Sequence, residues 1–175
     1  MSQRWSEYSR VDFDRYETPE WVTMALVPHL PDDSKILEPA CGTWKMVDAL
    51  AEAGFSVVGQ DIQDGADFLK RDYADVFTAV VTNPPYNQAA QFVTHALDLM
   101  RPQGGFVAML LRTDFDHAKT RRHLFADHPA FAKKIVLTKR IVWFDRQGAS
   151  PSFNHAWFVW DWKHGGPPTV AWDFQ

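Results

Sequence analysis

Short apolar runs alternate along the chain with segments whose apolar residues recur every three or four positions, the signature of alternating strands and helices. An amino-terminal arm and a helix come first. Residues 35 to 37 then form a short apolar run, and Met46, Val47, Leu50 and Ala51 fall on one helical face that ends before Gly54. Residues 56 to 59 read as a second strand running out at Asp61, and residues 77 to 82 as a third that stops at two prolines. Asn87 is placed to cap a helix with Phe92, Val93, Ala96, Leu97 and Met100 on its buried face, ended by Pro102 and Gly104-Gly105. Residues 106 to 111 are apolar without alternation, which predicts a strand buried on both faces of a parallel sheet. A polar helix over residues 117 to 127, strands over 134 to 138 and 156 to 160, and a Gly165-Gly166-Pro167-Pro168 turn before a short last strand complete an α/β pattern.

Two of the predicted turns carry residues that the pattern alone does not explain. The third strand ends in Asn83-Pro84-Pro85-Tyr86, and each proline holds the residue before it in extended geometry, so the tip is stiff. The Asn83 side-chain oxygen and the Pro84 carbonyl then form two acceptors facing one spot, with the Tyr86 ring beside them. Such a pair takes both protons of an exocyclic amine and steers its lone pair toward an electrophile, while Tyr86 stacks on the ring that carries the amine. A plain strand terminator would account for the prolines but for neither Asn83 nor Tyr86. Upstream, Cys41-Gly42-Thr43 forms a small turn between strand and helix, and Asp61 lies 19 residues beyond Gly42. In doubly wound folds an acid about 20 residues past a glycine turn accepts hydrogen bonds from ribose hydroxyls.

Composition limits the alternatives. With 175 residues and 46% hydrophobic content the chain can bury one core, and no linker divides it. No apolar run approaches the roughly 20 residues that cross a bilayer, and MSQRWSEYSR is not a signal peptide, so a cytoplasmic protein is expected. The single Cys41 and scattered histidines point away from a disulfide or a zinc cluster, and Cys41 reads as a small buried residue. Net charge is -4, yet it is unevenly spread: residues 1 to 111 hold eight Lys and Arg against sixteen acids, and residues 112 to 146 nine against four. That basic segment includes Arg121 and Arg122 and the aromatics Trp143 and Phe144, with Phe153 just beyond. It fits either phosphate neutralisation and base stacking or an ordinary solvated face.

Taken together these stretches resemble the AdoMet-dependent amino-methyltransferases, most closely the N6-adenine DNA methyltransferases in which the cofactor motif precedes the catalytic tetrapeptide. Tyr16-Glu17-Thr18-Pro19-Glu20 resembles the segment over the methionine end of AdoMet, and Glu38-Pro39-Ala40-Cys41-Gly42 the cofactor turn. Asp61-Ile62 and Asp67-Phe68-Leu69 resemble the ribose and adenine contacts, and the tetrapeptide Asn83, Pro84, Pro85, Tyr86 the catalytic motif, with Asn83 also beside the cofactor. Ala149-Ser150-Pro151-Ser152-Phe153 is similar, more loosely, to the region supplying a second aromatic, here Phe153, against a flipped base.

The resemblance implies a Rossmann-like class I methyltransferase fold with a mostly parallel seven-stranded sheet flanked by helices. It implies one catalytic domain over residues 1–175, an arm over 1–17, AdoMet as cofactor, no metal, and no base needed before methyl transfer. The substrate expected is adenine N6 in double-stranded DNA, flipped out of the stack. RNA amines and protein glutamines are alternatives on the same motif. No separate target-recognition domain is visible, so a short recognition site or a partner protein supplying specificity is expected. One departure stands out: Trp44 occupies a position where the family usually carries glycine. An indole turned into the turn would block it and leave a non-catalytic binding module. An outward indole packed under the Thr18-Pro19 helix is favoured, because Asp61, Asp67-Phe68 and the tetrapeptide are all retained.

Overall fold

The computed structural model describes residues 17–73, 76–143 and 153–173. Seven strands form one sheet: β1 (Lys35–Glu38), β2 (Ser56–Gly59), β3 (Ala79–Thr82), β4 (Phe106–Arg112), β5 (Phe131–Val136), β6 (His155–Asp161) and β7 (Thr169–Trp172). Their order is β2-β1-β3-β4-β6-β5-β7. The pairings of β1 with β2 and β3, of β3 with β4 and of β5 with β7 are parallel, and only β6 runs against its two neighbours. The expected α/β architecture with a mostly parallel sheet is therefore present.

Alternate residues of each central strand feed opposite cores. Ile36, Ala79, Val81, Leu110 and Trp157 face α1 (Glu20–Met24) and α2 (Lys45–Glu52). Leu37, Val80, Met109, Phe158 and Trp160 face α3 (Ala89–Met100) on the other side. Both tryptophans of β6 satisfy their buried N–H: Trp157 donates to the Val22 carbonyl at 2.8 Å and Trp160 to that of Leu124 at 2.6 Å. β3 and β4 are buried along almost their whole length, as unbroken apolar runs require.

Several boundaries differ from those the sequence predicts, each for a local reason. On α2 it is Ala49, with Met46, Val47 and Leu50, that is buried, and Ala51 is exposed. The turn closed by Gln88 N–H to the Pro85 carbonyl at 3.0 Å takes in Asn87, so α3 starts after Gln88 and has no side-chain cap. The polar helix expected over 117 to 127 is instead two 3-10 segments, Phe115–His117 and Lys119–Leu124. Leu124 is the one buried residue of the second, too little apolar surface to hold an α-helix against the sheet. β5 begins three residues earlier than predicted. Its two lysines are paired internally: Lys133 meets His29 at 3.1 Å, and Lys134 meets Asp116 and the Thr113 carbonyl, both at 2.8 Å.

Candidate functional site

The strand order turns at β1 and β3, where successive connections leave in opposite directions, and a crevice opens beyond the carboxyl ends of such strands. A cavity of about 640 Å³ lies there, within the range of small-molecule sites. Thr18 and Pro19 line it from one side, and Glu38, Pro39, Ala40, Cys41 and Gly42 from the end of β1. Asp61, Ile62, Asp67 and Phe68 line the part beyond β2, and Asn83 and Pro85 the part beyond β3. The structure thus brings Thr18, Pro19, Glu38, Pro39, Ala40, Cys41, Gly42, Asp61, Ile62, Asp67, Phe68 and Asn83 into one cavity, whereas Glu20 and Leu69 of the same stretches do not line it.

Glu38 is the most constrained of these groups. It is 1% exposed, and its Oε1 accepts from the Ala40 N–H at 3.0 Å and from the Thr82 hydroxyl at 2.5 Å. Its Oε2 is buried with no hydrogen-bond partner. Burial outweighs those two hydrogen bonds and pushes the carboxyl pKa up to about 8. Asp61 has a different task. Its two oxygens accept from the N–H groups of Gly42 and Gln63, each at 3.0 Å, which ties the cofactor turn to the end of β2. A carboxylate has about four lone-pair sites, so Asp61 keeps capacity for ligand hydroxyls. Gly42 needs the left-handed backbone it has, with φ 51°.

Asp67 accepts from Leu69 N–H and pairs with Lys70 at 2.8 Å. Phe68 is 2% exposed and belongs to the core, packed on Phe92 and His95, so only its edge reaches the cavity. Ile62 shows the reverse: an apolar side chain 56% exposed, yet on the cavity wall. Cys41 is buried in the turn, and burial first, then Glu38 and Asp61, raise its thiol to about 11.

At the tetrapeptide, the Asn83 side-chain N–H donates to Thr18 Oγ1 at 3.2 Å, which presents Asn83 Oδ1 on the opposite side of the amide. Pro84 is buried, and Pro85 is on the wall. Tyr86 does not line the cavity, and its hydroxyl lies 2.9 Å from Nε2 of His155. The second aromatic expected from Phe153 is placed elsewhere: Phe153 is exposed beneath the Arg112 guanidinium, 4.1 Å from the ring centre. Trp143 and Val142 line the cavity instead. Neither Arg121 nor Arg122 reaches it. Arg121 donates to the Phe115 carbonyl at 2.6 Å and lies over that ring, and Arg122 is closed on Asp127 at 2.8 Å. Lys139 and Arg140 are exposed in the segment leading to Val142 and Trp143.

Trp44 does not line the cavity. Among the described residues it is the one non-glycine with positive φ, 69°, and it sits at the amino end of α2. Its indole is 45% exposed and lies over Gly59 of β2, where an added Cβ would come within 3.1 Å of it. The outward placement holds, but the cover is β2 and not the Thr18-Pro19 helix. Tyr16, Phe144, Arg146 and the stretch 149 to 152 lie outside the described residues, as does almost all of the arm over 1–17. No described helix is long and apolar enough to cross a membrane. His155 escaped the sequence reading because it is one scattered histidine, separated from Tyr86 by 69 positions.

No protein-family profile matches the chain, and no curated protein sequence matches it. Solved structures do. A candidate class I S-adenosylmethionine-dependent methyltransferase from Listeria monocytogenes aligns over 95% of this chain and 68% of its own, at 15% identity and a TM-score of 0.65. The type I restriction-modification methyltransferase subunit from Streptococcus thermophilus aligns over 83% of this chain and 44% of its own, with 16% identity and a TM-score of 0.58. The type IIG restriction endonuclease BpuSI aligns over 81% and 24%, at 14% identity and a TM-score of 0.51. The chain therefore has the class I methyltransferase fold, and it spans less than half of the two restriction-system proteins.

Proposed function

We propose that this protein transfers the methyl group of AdoMet to the exocyclic N6 amine of adenine in DNA. The observation that carries the reading is the position of the tetrapeptide. It stands at the carboxyl end of β3 on the rim of the cavity, and Asn83 is oriented by Thr18 so that its oxygen is turned away from that bond. The residues present fit AdoMet. Glu38 Oε2 is buried without a partner, and a cationic ligand would favour the ionised carboxylate there and satisfy that atom. Asp61 would take the ribose hydroxyls, and the exposed Ile62 side chain would lie on the adenine face. AdoMet, when bound, supplies an electrophilic methyl on a sulfonium.

The chain's own residues supply the rest. Asn83 Oδ1 and the Pro84 carbonyl would accept the two amine protons and aim the nitrogen lone pair into the cavity, a positioning and electrostatic contribution. Tyr86, with Trp143 in place of the expected Phe153, would stack on the extruded base at about 1–3 kcal/mol per contact, offsetting a flipping cost of a few kcal/mol. Phosphates would be met by the exposed Arg140 and by Lys139, which also lies over the Trp21 ring, more than by Arg121 and Arg122, which are held on Phe115 and Asp127. A partner protein remains the proposed source of sequence specificity. The test is transfer from tritiated AdoMet to duplex DNA, RNA and a glutamine-containing protein mixture in parallel. Label in adenine N6 of DNA is the expected result. Label confined to RNA or polypeptide replaces the substrate, and no heat of AdoMet binding removes the activity.

A further inference from the structure

The Tyr86 hydroxyl needs an explanation that stacking does not give, because a phenylalanine would present the same face to a base. Its partner His155 opens β6, pairs in register with Arg112 at the end of β4, and is 2% exposed. The proton positions follow from the neighbours. His155 Nδ1 lies 2.7 Å from the Phe153 carbonyl oxygen, which can only accept, so Nδ1 carries the hydrogen. Nε2 then offers a lone pair, and the Tyr86 hydroxyl donates into it at 2.9 Å. Burial is the main cause that holds the imidazole pKa down at about 4, so the ring stays neutral near pH 7 and this donor pattern persists. Trp143 meets the same ring edge-on, with centroids 5.2 Å apart at 90°, and also lines the cavity. One imidazole therefore touches both aromatics near the amine site, with the Tyr86 ring centre 6.0 Å away.

We propose that His155 is the positioning residue of the amine site, clamping the Tyr86 hydroxyl so that the ring is a fixed wall before the base arrives. This deepens the amine-site reading and rests on it. A tyrosine at a strand tip has two torsions to order, and fixing them in the free protein removes that cost from base capture. His155 reaches no reacting atom and acts only through Tyr86.

The test compares His155→Leu, His155→Gln, Tyr86→Phe and the double variant Tyr86→Phe/His155→Leu in the full chain. Methyl transfer to duplex DNA and AdoMet affinity are measured for each. His155→Leu and Tyr86→Phe should each lower kcat/KM for DNA about tenfold, the scale of one ordering hydrogen bond, with AdoMet affinity unchanged. The double variant should lose no more than either single one, since both remove the same bond. His155→Gln, which keeps an acceptor near Nε2, should recover most of the lost rate. If the leucine variant does not fold, the glutamine variant and Tyr86→Phe carry the comparison. Additive losses, or a Tyr86→Phe enzyme as fast as the parent, overturn the clamp. A second readout needs no substrate: in protein with 13C-labelled tyrosine, both His155→Leu and His155→Gln should shift the Tyr86 ring resonances, and the leucine variant should broaden them. Unchanged resonances overturn the clamp, whereas a parent that methylates nothing but shows these shifts overturns only the amine-site reading.

Discussion

At the end of β3 two side-chain hydrogen bonds reach stretches far away in the chain: Thr82 to Glu38, and Asn83 to Thr18. The residue before the tetrapeptide thus holds the acid of the cofactor turn, and the tetrapeptide's first residue holds the segment over the cavity. Asn83→Ala should abolish methyl transfer while changing AdoMet affinity little, because the assigned acceptor for the amine is lost and Thr18 remains on the wall. Activity near the parent's would remove Asn83 from the chemistry. Asp61→Ala should weaken AdoMet binding by about 1.5–3 kcal/mol, the range for hydrogen bonds to a charged group, and calorimetry reads it directly. Trp44 is the residue whose placement surface burial alone left open, since an indole buries a large surface on either side of its turn, and only the retained motifs favoured the outward one. The structure turns it onto Gly59, so parent and Trp44→Gly should both give a binding heat with AdoMet; a heat seen only in the glycine variant would make the indole a plug. Phe153 shows the limit of motif reasoning. The chain has several aromatics near that end, and only the folded structure separates them, with Trp143 on the cavity wall against His155 and Phe153 under Arg112.

At the level of elements, the legible parts are those whose burial follows a simple period. β2, an exposed to half-buried edge strand, matches its predicted bounds, and β3 and β4 lie within or close to theirs, because in these two apolar side chains on both faces leave no other conformation that buries them. Legibility fails where polar side chains find partners inside the protein. Lys133 and Lys134 read as a strand boundary, but Lys133 is hydrogen-bonded to His29 and Lys134 is paired with Asp116, both from distant segments, and the basic stretch after β4 lacks the apolar stripe a helix needs. The same reasoning sorts the cations. Arg122 is compensated by Asp127, whereas Lys139 and Arg140 are exposed in the segment leading to Val142 and Trp143. Changing Lys139 and Arg140 to Ala should reduce the salt dependence of DNA binding by about two contacts, close to 0.9 per phosphate in the logarithmic slope, and Arg122→Ala should leave it unchanged. The slope of binding constant against salt, measured for the three proteins, checks this. A loss with Arg122→Ala instead would return phosphate contact to the 3-10 segment.

For the whole molecule, two buried groups, Glu38 at the end of β1 and His155 at the start of β6, push stability in opposite directions with pH. Glu38 has a folded pKa of about 8 against an ordinary 4.5. Between these values the unfolded chain has given up a proton that the folded one keeps, so this contribution is complete below pH 4.5 and is lost as pH rises toward 8. His155 is the mirror case, with a folded pKa of about 4 against 6.5, so its contribution is complete above pH 6.5 and is lost as pH falls toward 4. From 4.5 to 6.5 the two slopes oppose each other, and burial of His29 and His128, whose pKa values are also lowered, adds to the acid side. Unfolding free energy should therefore peak near pH 6.5 and fall by about 2 kcal/mol on reaching pH 8, at roughly 1.4 kcal/mol per unit. Denaturant titrations across this range test it. Glu38→Gln should erase the alkaline fall, and His155→Leu should flatten the acid rise without touching it. On the proposed function, saturating AdoMet should shrink the alkaline fall in the parent as well, because a cation beside Glu38 favours the ionised carboxylate that burial disfavours. An alkaline limb indifferent to both Glu38→Gln and AdoMet would place the titrating group elsewhere and detach Glu38 from the cofactor.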